Sequence, residues 1–74
     1  MENTLLKEDE RAIVIAIGGT MEFQNFMLSH GISLGTIITK NYSPLFSKLV
    51  NFSVSGKMLS LKRVDFELID YQKI

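Results

Sequence analysis

The chain of 74 residues has no cysteine, no tryptophan, one proline and one histidine. Without cysteine there is no disulfide framework and no thiolate metal site, the features that usually stabilise a small secreted domain. The longest apolar run extends only from Ala12 to Ile17, too short to cross a bilayer, and the N-terminus lacks the features of a signal peptide. These absences predict a cytoplasmic protein in a reducing compartment, with no direct membrane insertion.

An excess of charge of one sign is also missing, because eight Lys and Arg balance eight Asp and Glu. A neutral chain has no general electrostatic attraction to nucleic acid or anionic lipid. The charges are nevertheless uneven, since no acidic residue lies between Glu22 and Asp65. The basic residues of that stretch are Lys40, Lys48, Lys57, Lys62 and Arg63. Folding either scatters them as solubilising charges or gathers them on one basic face.

Hydrophobic residues make up 46% of the chain, which is enough apolar material for it to fold. No repeat, low-complexity stretch or linker divides the sequence, so we predict a single domain over residues 1–74. One small core is all that this length can build, and it leaves no room for a separate catalytic module.

The hydrophobic pattern predicts five short strands and one early helix. The segment 11–17 is rich in β-branched residues and stops at two glycines, which is typical of a strand. Thr20 then offers an N-cap hydroxyl and Gly31 a left-handed C-cap, with helical apolar spacing between them. The later strands are predicted at 36–42, 50–54, 58–61 and 68–71, with a hairpin turn at Ser55-Gly56 and a helical turn at 62–66.

This element order predicts a mainly β fold, a small SH3-like antiparallel barrel of about five strands with one short helix between the first and second strands. An OB-fold barrel is the nearest competitor, but it usually places its helix between the third and fourth strands. Val64 and Phe66 are expected to close one end of the core.

Residues suited to catalysis or metal binding are few. Gly18-Gly19 lacks the lysine and the spacing of a phosphate-binding loop. His30 has no second histidine and no cysteine to complete a metal set, so we expect it to pack at the end of the helix. The acidic run 8–10 is expected to be solvated. We therefore predict no enzyme activity, no catalytic residue, no metal site and no cofactor.

Apolar residues on the helix raise the question of a protein partner. Four of them cover more than one side of this short helix: Phe23, Phe26, Met27 and Leu28. Either the core buries nearly all of these side chains, or part of their surface is left for another protein. Leu45 and Phe46 raise the same question in the turn after Pro44.

Two motifs in this order resemble the FeoA family, the small cytoplasmic proteins that accompany the bacterial ferrous iron transporter FeoB. The first is a helix end followed by Gly, an aliphatic residue, two positions and Gly, which here is 27–35, MLSHGISLG. The second is a hairpin Gly followed by aliphatic residues and a basic residue, which here is 55–62, SGKMLSLK, with Phe66 and Ile69 beyond it. The resemblance extends over roughly residues 5 to 71.

The resemblance implies an accessory role in ferrous iron uptake, at the cytoplasmic domain of a FeoB-type transporter and near its GTP-binding domain. It does not imply that the protein binds iron itself. Our hypothesis is an adaptor that docks through the helix and its following turn, with two basic residues as rim contacts. The predicted partner-binding residues are Phe26, Met27, Leu28, His30, Ile32, Leu34, Lys62 and Arg63.

Two alternatives belong to other classes of protein. A small barrel can bind RNA or DNA through a basic face and exposed aromatics such as Tyr42, Phe46 and Tyr71, although zero net charge argues against a nucleic-acid partner. The second alternative is an SH3-like module of the type found in metal-dependent repressors, which forms a homo-oligomer through its exposed edge strands. Salt-dependent retention on a nucleic-acid column would identify the first alternative, and light scattering across concentrations the second.

Overall fold

A computed structural model describes residues 6–44 and 47–74 of the protein. Its elements in chain order are β1 (Arg11–Ile17), α1 (Met21–Ser29), β2 (Ile37–Lys40), β3 (Leu49–Val54), β4 (Lys57–Lys62), α2 (Arg63–Phe66) and β5 (Ile69–Lys73). The turn residues Leu45 and Phe46, for which the sequence left a partner role open, lie outside the described residues.

All five strands form one antiparallel sheet in the order β4-β3-β2-β1-β5. The predicted mainly β class, the number of strands and the position of the helix between the first two strands are therefore confirmed. The expected closure into a barrel is not, because β4 and β5 are the two edges of the sheet and are not neighbours in it. The helical turn α2 connects these edges along the chain and contacts β3 and β4.

The second strand is shorter than predicted, since β2 ends at Lys40 rather than near residue 42. Beyond Lys40 the hydroxyl of Ser43 accepts a hydrogen bond from the backbone N–H of Asn51 at 2.9 Å. A side chain thus takes the place of a backbone carbonyl in the ladder, a competition for which serine is well suited.

Helix α1 begins and ends at the predicted caps. The Thr20 hydroxyl accepts a hydrogen bond from the Phe23 N–H at 3.1 Å, which satisfies one of the free amides of the first turn. At the other end Gly31 has a φ of 82°, and the next N–H, that of Ile32, donates to the Met27 carbonyl oxygen at 2.9 Å. This left-handed ending carries an apolar pair, since both Met27 and Ile32 are fully buried.

The hairpin between β3 and β4 turns in two residues, because Val54 pairs directly with Lys57. Both turn residues have positive φ, 52° at Ser55 and 82° at Gly56, as a type I′ turn requires. Glycine adopts this conformation freely, whereas serine pays a small conformational cost.

The core lies on one face of the sheet and is wholly apolar. Its buried members are Leu6, Ala12, Val14, Met27, Ile32, Ile38, Val50, Phe52, Val54, Leu61, Phe66 and Ile69. Phe66 closes one end, with its ring centroid 5.5 Å from that of Phe52. The prediction that Val64 joins it is wrong, because Val64 is 67% exposed. Residues two apart on a helical turn point to opposite sides, so only one of this pair can face the core.

We predict that Met27→Ala destabilises the fold by about 3 kcal/mol, because it removes a fully buried side chain and leaves a cavity. The matched control is the adjacent Leu28→Ala, an exposed position at which the loss should stay below about 1 kcal/mol. Urea unfolding followed by circular dichroism measures both values. Equal losses for the two variants would contradict the assignment of Met27 to the core.

Candidate functional site

The structure divides the predicted partner-binding residues into three groups. Met27 and Ile32 have no exposed surface and belong to the core, so their side chains cannot meet a partner in the folded protein. The exposed members on the helix and its turn are Phe26, Leu28, His30 and Leu34. Lys62 and Arg63 lie at the junction of β4 and α2, away from the residues that surround α1. A role of the exposed residues in partner binding stays a prediction.

An apolar groove, here called the helix groove, lies between the second half of β1, helix α1 and the turn after the helix. Its volume is about 360 Å³, and its lining residues are Ile15, Ala16, Ile17, Gln24, Leu28, Ser33 and Leu34. None of these residues is charged. Three of its four large aliphatic side chains are more than half exposed, 52% for Ile15, 59% for Leu28 and 66% for Leu34, whereas Ile17 is partly buried.

Hydrogen bonds hold the walls of the helix groove in place. The Gly35 N–H donates to the Val14 carbonyl oxygen at 2.8 Å, and the Ser33 N–H donates to the Thr36 hydroxyl at 3.0 Å. Leu34 therefore projects from a turn that is tied on both sides. The Gln24 amide nitrogen lies 3.3 Å from the Ile17 carbonyl oxygen and donates to it, which links α1 to the end of β1.

Helix α1 exposes a second apolar strip on its other side. The rings of Phe26 and His30 lie 4.4 Å apart at an angle of 58°, so His30 packs at the helix end as the sequence predicts. Neither residue lines the helix groove. Leu28 and Phe26 are two positions apart, which places them on opposite flanks of the buried Met27.

Ile15 belongs to this surface, although the sequence pattern does not identify it. Its β1 segment is an almost continuous apolar run, and such a run does not show which residues face outward. In the structure the pairing of β1 with β5 shifts register between Val14 and Ala16. Because side chains alternate along a strand, Ile15 lies on the face of β1 opposite the buried Ala12 and Val14, and it is exposed beside Leu28 and Leu34.

Ionisable groups with shifted pKa values lie outside the helix groove. The Lys7 backbone N–H, at 2.7 Å, and the Lys73 ammonium, at 3.1 Å, lower the pKa of the Glu10 carboxyl. Partial burial raises the pKa of the Tyr71 hydroxyl. Within residues 6–44 and 47–74 no three His, Cys, Asp or Glu side chains are grouped closely enough to hold a metal ion. The helix groove therefore offers apolar contact and no acid-base chemistry.

Neither described helix has the length and hydropathy needed to span a membrane.

Neither a family model nor a curated protein sequence matches the chain. Solved structures match it closely in fold. An iron uptake regulatory protein, FeoA, is 19% identical with a TM-score of 0.82, and the match covers 93% of this chain and 91% of that one. The FeoA protein of Chlorobium tepidum is 17% identical with a TM-score of 0.86, over 93% and 66% of the two chains.

Two further structures show the same fold. A FeoA-like protein of Clostridium acetobutylicum is 19% identical with a TM-score of 0.79, over 93% of this chain and 80% of that one. A manganese-dependent transcriptional repressor is 17% identical with a TM-score of 0.82, over 92% of this chain but only 33% of the repressor. The class of the protein is thus a small SH3-like β domain. Within that class its fold is that of the FeoA proteins.

We predict that Gly31→Ala lowers the free energy of unfolding by about 1–2 kcal/mol, because its φ of 82° is unfavourable for a residue with a Cβ. Among the described residues, no atom beyond Gly31, its two chain neighbours and the backbone of the adjacent helix lies within 4 Å of that Cβ, so the loss is a backbone effect. Gly31→Asn is the control and should lose less, since asparagine tolerates this conformation. Urea unfolding of both variants checks the prediction, and an alanine variant as stable as the parent would contradict it.

Proposed function

We propose that the protein is a cytoplasmic accessory protein of ferrous iron uptake that acts on a FeoB-type membrane GTPase transporter. The FeoA-like fold over 93% of the chain supports this proposal, as do the two sequence motifs at 27–35 and 55–62. One of the similar structures is itself described as an iron uptake regulatory protein.

The observation that carries the proposal is the helix groove with its exposed aliphatic side chains. Ile15, Leu28 and Leu34 line one recess on elements that are held by hydrogen bonds. A partner that covers them gains about 25 cal/mol for each Å² of apolar surface removed from water. Because the walls are already ordered, little conformational entropy is lost on docking. The groove therefore has the properties of a protein-binding site.

The uncharged lining also defines the partner surface. Apolar side chains of the transporter's cytoplasmic domain would be complementary to this lining, with polar contacts only at the margin of the groove. Docking changes transport to the extent that the affinity differs between the nucleotide states of the GTPase, because a ligand shifts an equilibrium only through such a difference. The protein itself then needs neither a catalytic residue nor a bound iron.

We predict that Leu28→Asp and Leu34→Asp each weaken binding to the cytoplasmic domain of the cognate FeoB-type transporter by at least about tenfold. A carboxylate in the helix groove would have to lose its hydration against apolar partner groups. Calorimetry with and without guanine nucleotide measures the dissociation constant, for which we expect a micromolar value in the parent.

The matched control is Met58→Asp, which makes the same kind of change at a residue that is 69% exposed and lies outside the helix groove. It should bind like the parent. Met27→Asp is unsuitable, because a charge at that fully buried position would unfold the protein. If folded Leu28→Asp and Leu34→Asp variants bind like the parent, the helix groove is not the docking surface. If the parent does not bind the cytoplasmic domain at all, the FeoB-type transporter is not its partner.

A further inference from the structure

A second groove, here called the basic groove, lies where β3 begins and where β4 continues into α2. Its volume is about 580 Å³, and its lining residues are Ser47, Lys48, Leu49, Lys62, Arg63 and Val64. No residue lines both this groove and the helix groove. The predicted rim contacts Lys62 and Arg63 therefore belong to a separate surface.

The basic groove combines exposed aliphatic side chains with cations. Leu49 is 45% exposed and Val64 is 67% exposed. Leu49 lies directly opposite Lys62 across the pair of strands β3 and β4, so an apolar and a positive side chain are neighbours on one face of the sheet. Exposed aliphatic surface of this kind is a candidate contact for an apolar side chain of a partner.

Arg63 connects the two sides of the basic groove. Its Nε and Nη2 atoms donate to the Ser47 carbonyl oxygen at 3.3 and 3.1 Å, and its backbone N–H donates to the Lys48 carbonyl oxygen at 2.7 Å. These bonds fix the guanidinium without neutralising it, because a carbonyl group carries no net charge. The groove is thus held in shape and keeps a positive charge.

Among residues 6–44 and 47–74, no acidic residue lines this groove. Among the described residues the ion pair joins Lys73 to Glu10. Lys48 and Lys62 have no described carboxylate within ion-pair distance. Three basic residues of the stretch between Glu22 and Asp65, which has no acidic residue, thus line the same groove: Lys48, Lys62 and Arg63. Their charge calls for an anionic ligand.

We infer that the basic groove docks an acidic, aliphatic segment of a partner protein. Carboxylates of the segment would pair with Lys48 and Lys62, and Leu, Ile or Val side chains would cover Leu49 and Val64. Nucleic acid fits less well, because the described lining residues include no aromatic side chain for base stacking and a phosphate backbone would leave the aliphatic side chains exposed to water. A membrane fits less well, because α2 is only four residues long.

The inference is independent of the proposed function, since it uses neither the helix groove nor the identity of the transporter. The test pans a library of random displayed peptides against the immobilised full-length protein. We expect the enriched peptides to carry Asp or Glu beside Leu, Ile or Val. A synthetic copy of the most enriched peptide should bind the parent and lose affinity as salt rises.

The variant Lys62→Glu should weaken binding of that peptide by at least about tenfold, because it replaces an attraction by a repulsion. Val64→Asp should weaken it similarly through the apolar contact. The matched control is Lys57→Glu, which makes the same change at the other end of β4 and outside the basic groove. It should stay within about twofold of the parent.

Four outcomes would overturn the inference. The first is a panning experiment that enriches no acidic, aliphatic sequence. The second is equal peptide affinity for the parent, Lys62→Glu and Val64→Asp. The third is binding of an oligothymidine or an anionic phosphatidylglycerol vesicle that Lys62→Glu abolishes while the peptides do not compete. The fourth is dimerisation of the protein in light scattering that Lys62→Glu abolishes, since the groove would then belong to a second copy.

Discussion

The fold depends on the apolar pair that ends helix α1. Gly31 allows the chain to reverse, so that Met27 on the last turn and Ile32 just beyond it are both fully buried against the sheet. Because Met27 points inward, the next residue on the helix, Leu28, lies about 100° round the axis and points away from the core. Leu34 is exposed on the turn that follows, which the Gly35 and Ser33 hydrogen bonds hold in place. The candidate site thus combines the outer side of the attached helix with this turn.

Two grooves on the described surface differ in chemistry. The helix groove is uncharged and has aliphatic walls held by backbone bonds, whereas the basic groove places Lys48, Lys62 and Arg63 beside Leu49 and Val64. The two proposed surfaces differ in the contacts they offer, since the helix groove offers apolar burial and the basic groove adds charge. In protein interfaces apolar burial contributes most to affinity, whereas charge contributes most to orientation and speed of association.

Much of the fold could be predicted from the sequence, because the conformations that cap and turn residues prefer locally are the ones that the tertiary packing requires. The Thr20 hydroxyl caps the start of the helix and Gly31, with its positive φ, ends it, both at the predicted positions. Ser55-Gly56 forms the predicted two-residue turn. The candidate site was predicted less well. Helical spacing alone could not tell that Met27 is core and Leu28 is surface, because apolar residues cover several sides of α1 and only the packing partner selects the buried one.

The sequence by itself determined the class of the protein: the strand and helix order, the caps, the lack of a disulfide framework and the stretch without acidic residues. Those properties depend on residue type and on neighbours a few positions away. Only the tertiary structure decided that the sheet stays open between β4 and β5, that Val14 faces the core while Ile15 faces outward, and that distant lysines meet in one groove. These features depend on the register of strands far apart in the chain, and no local pattern encodes such pairings.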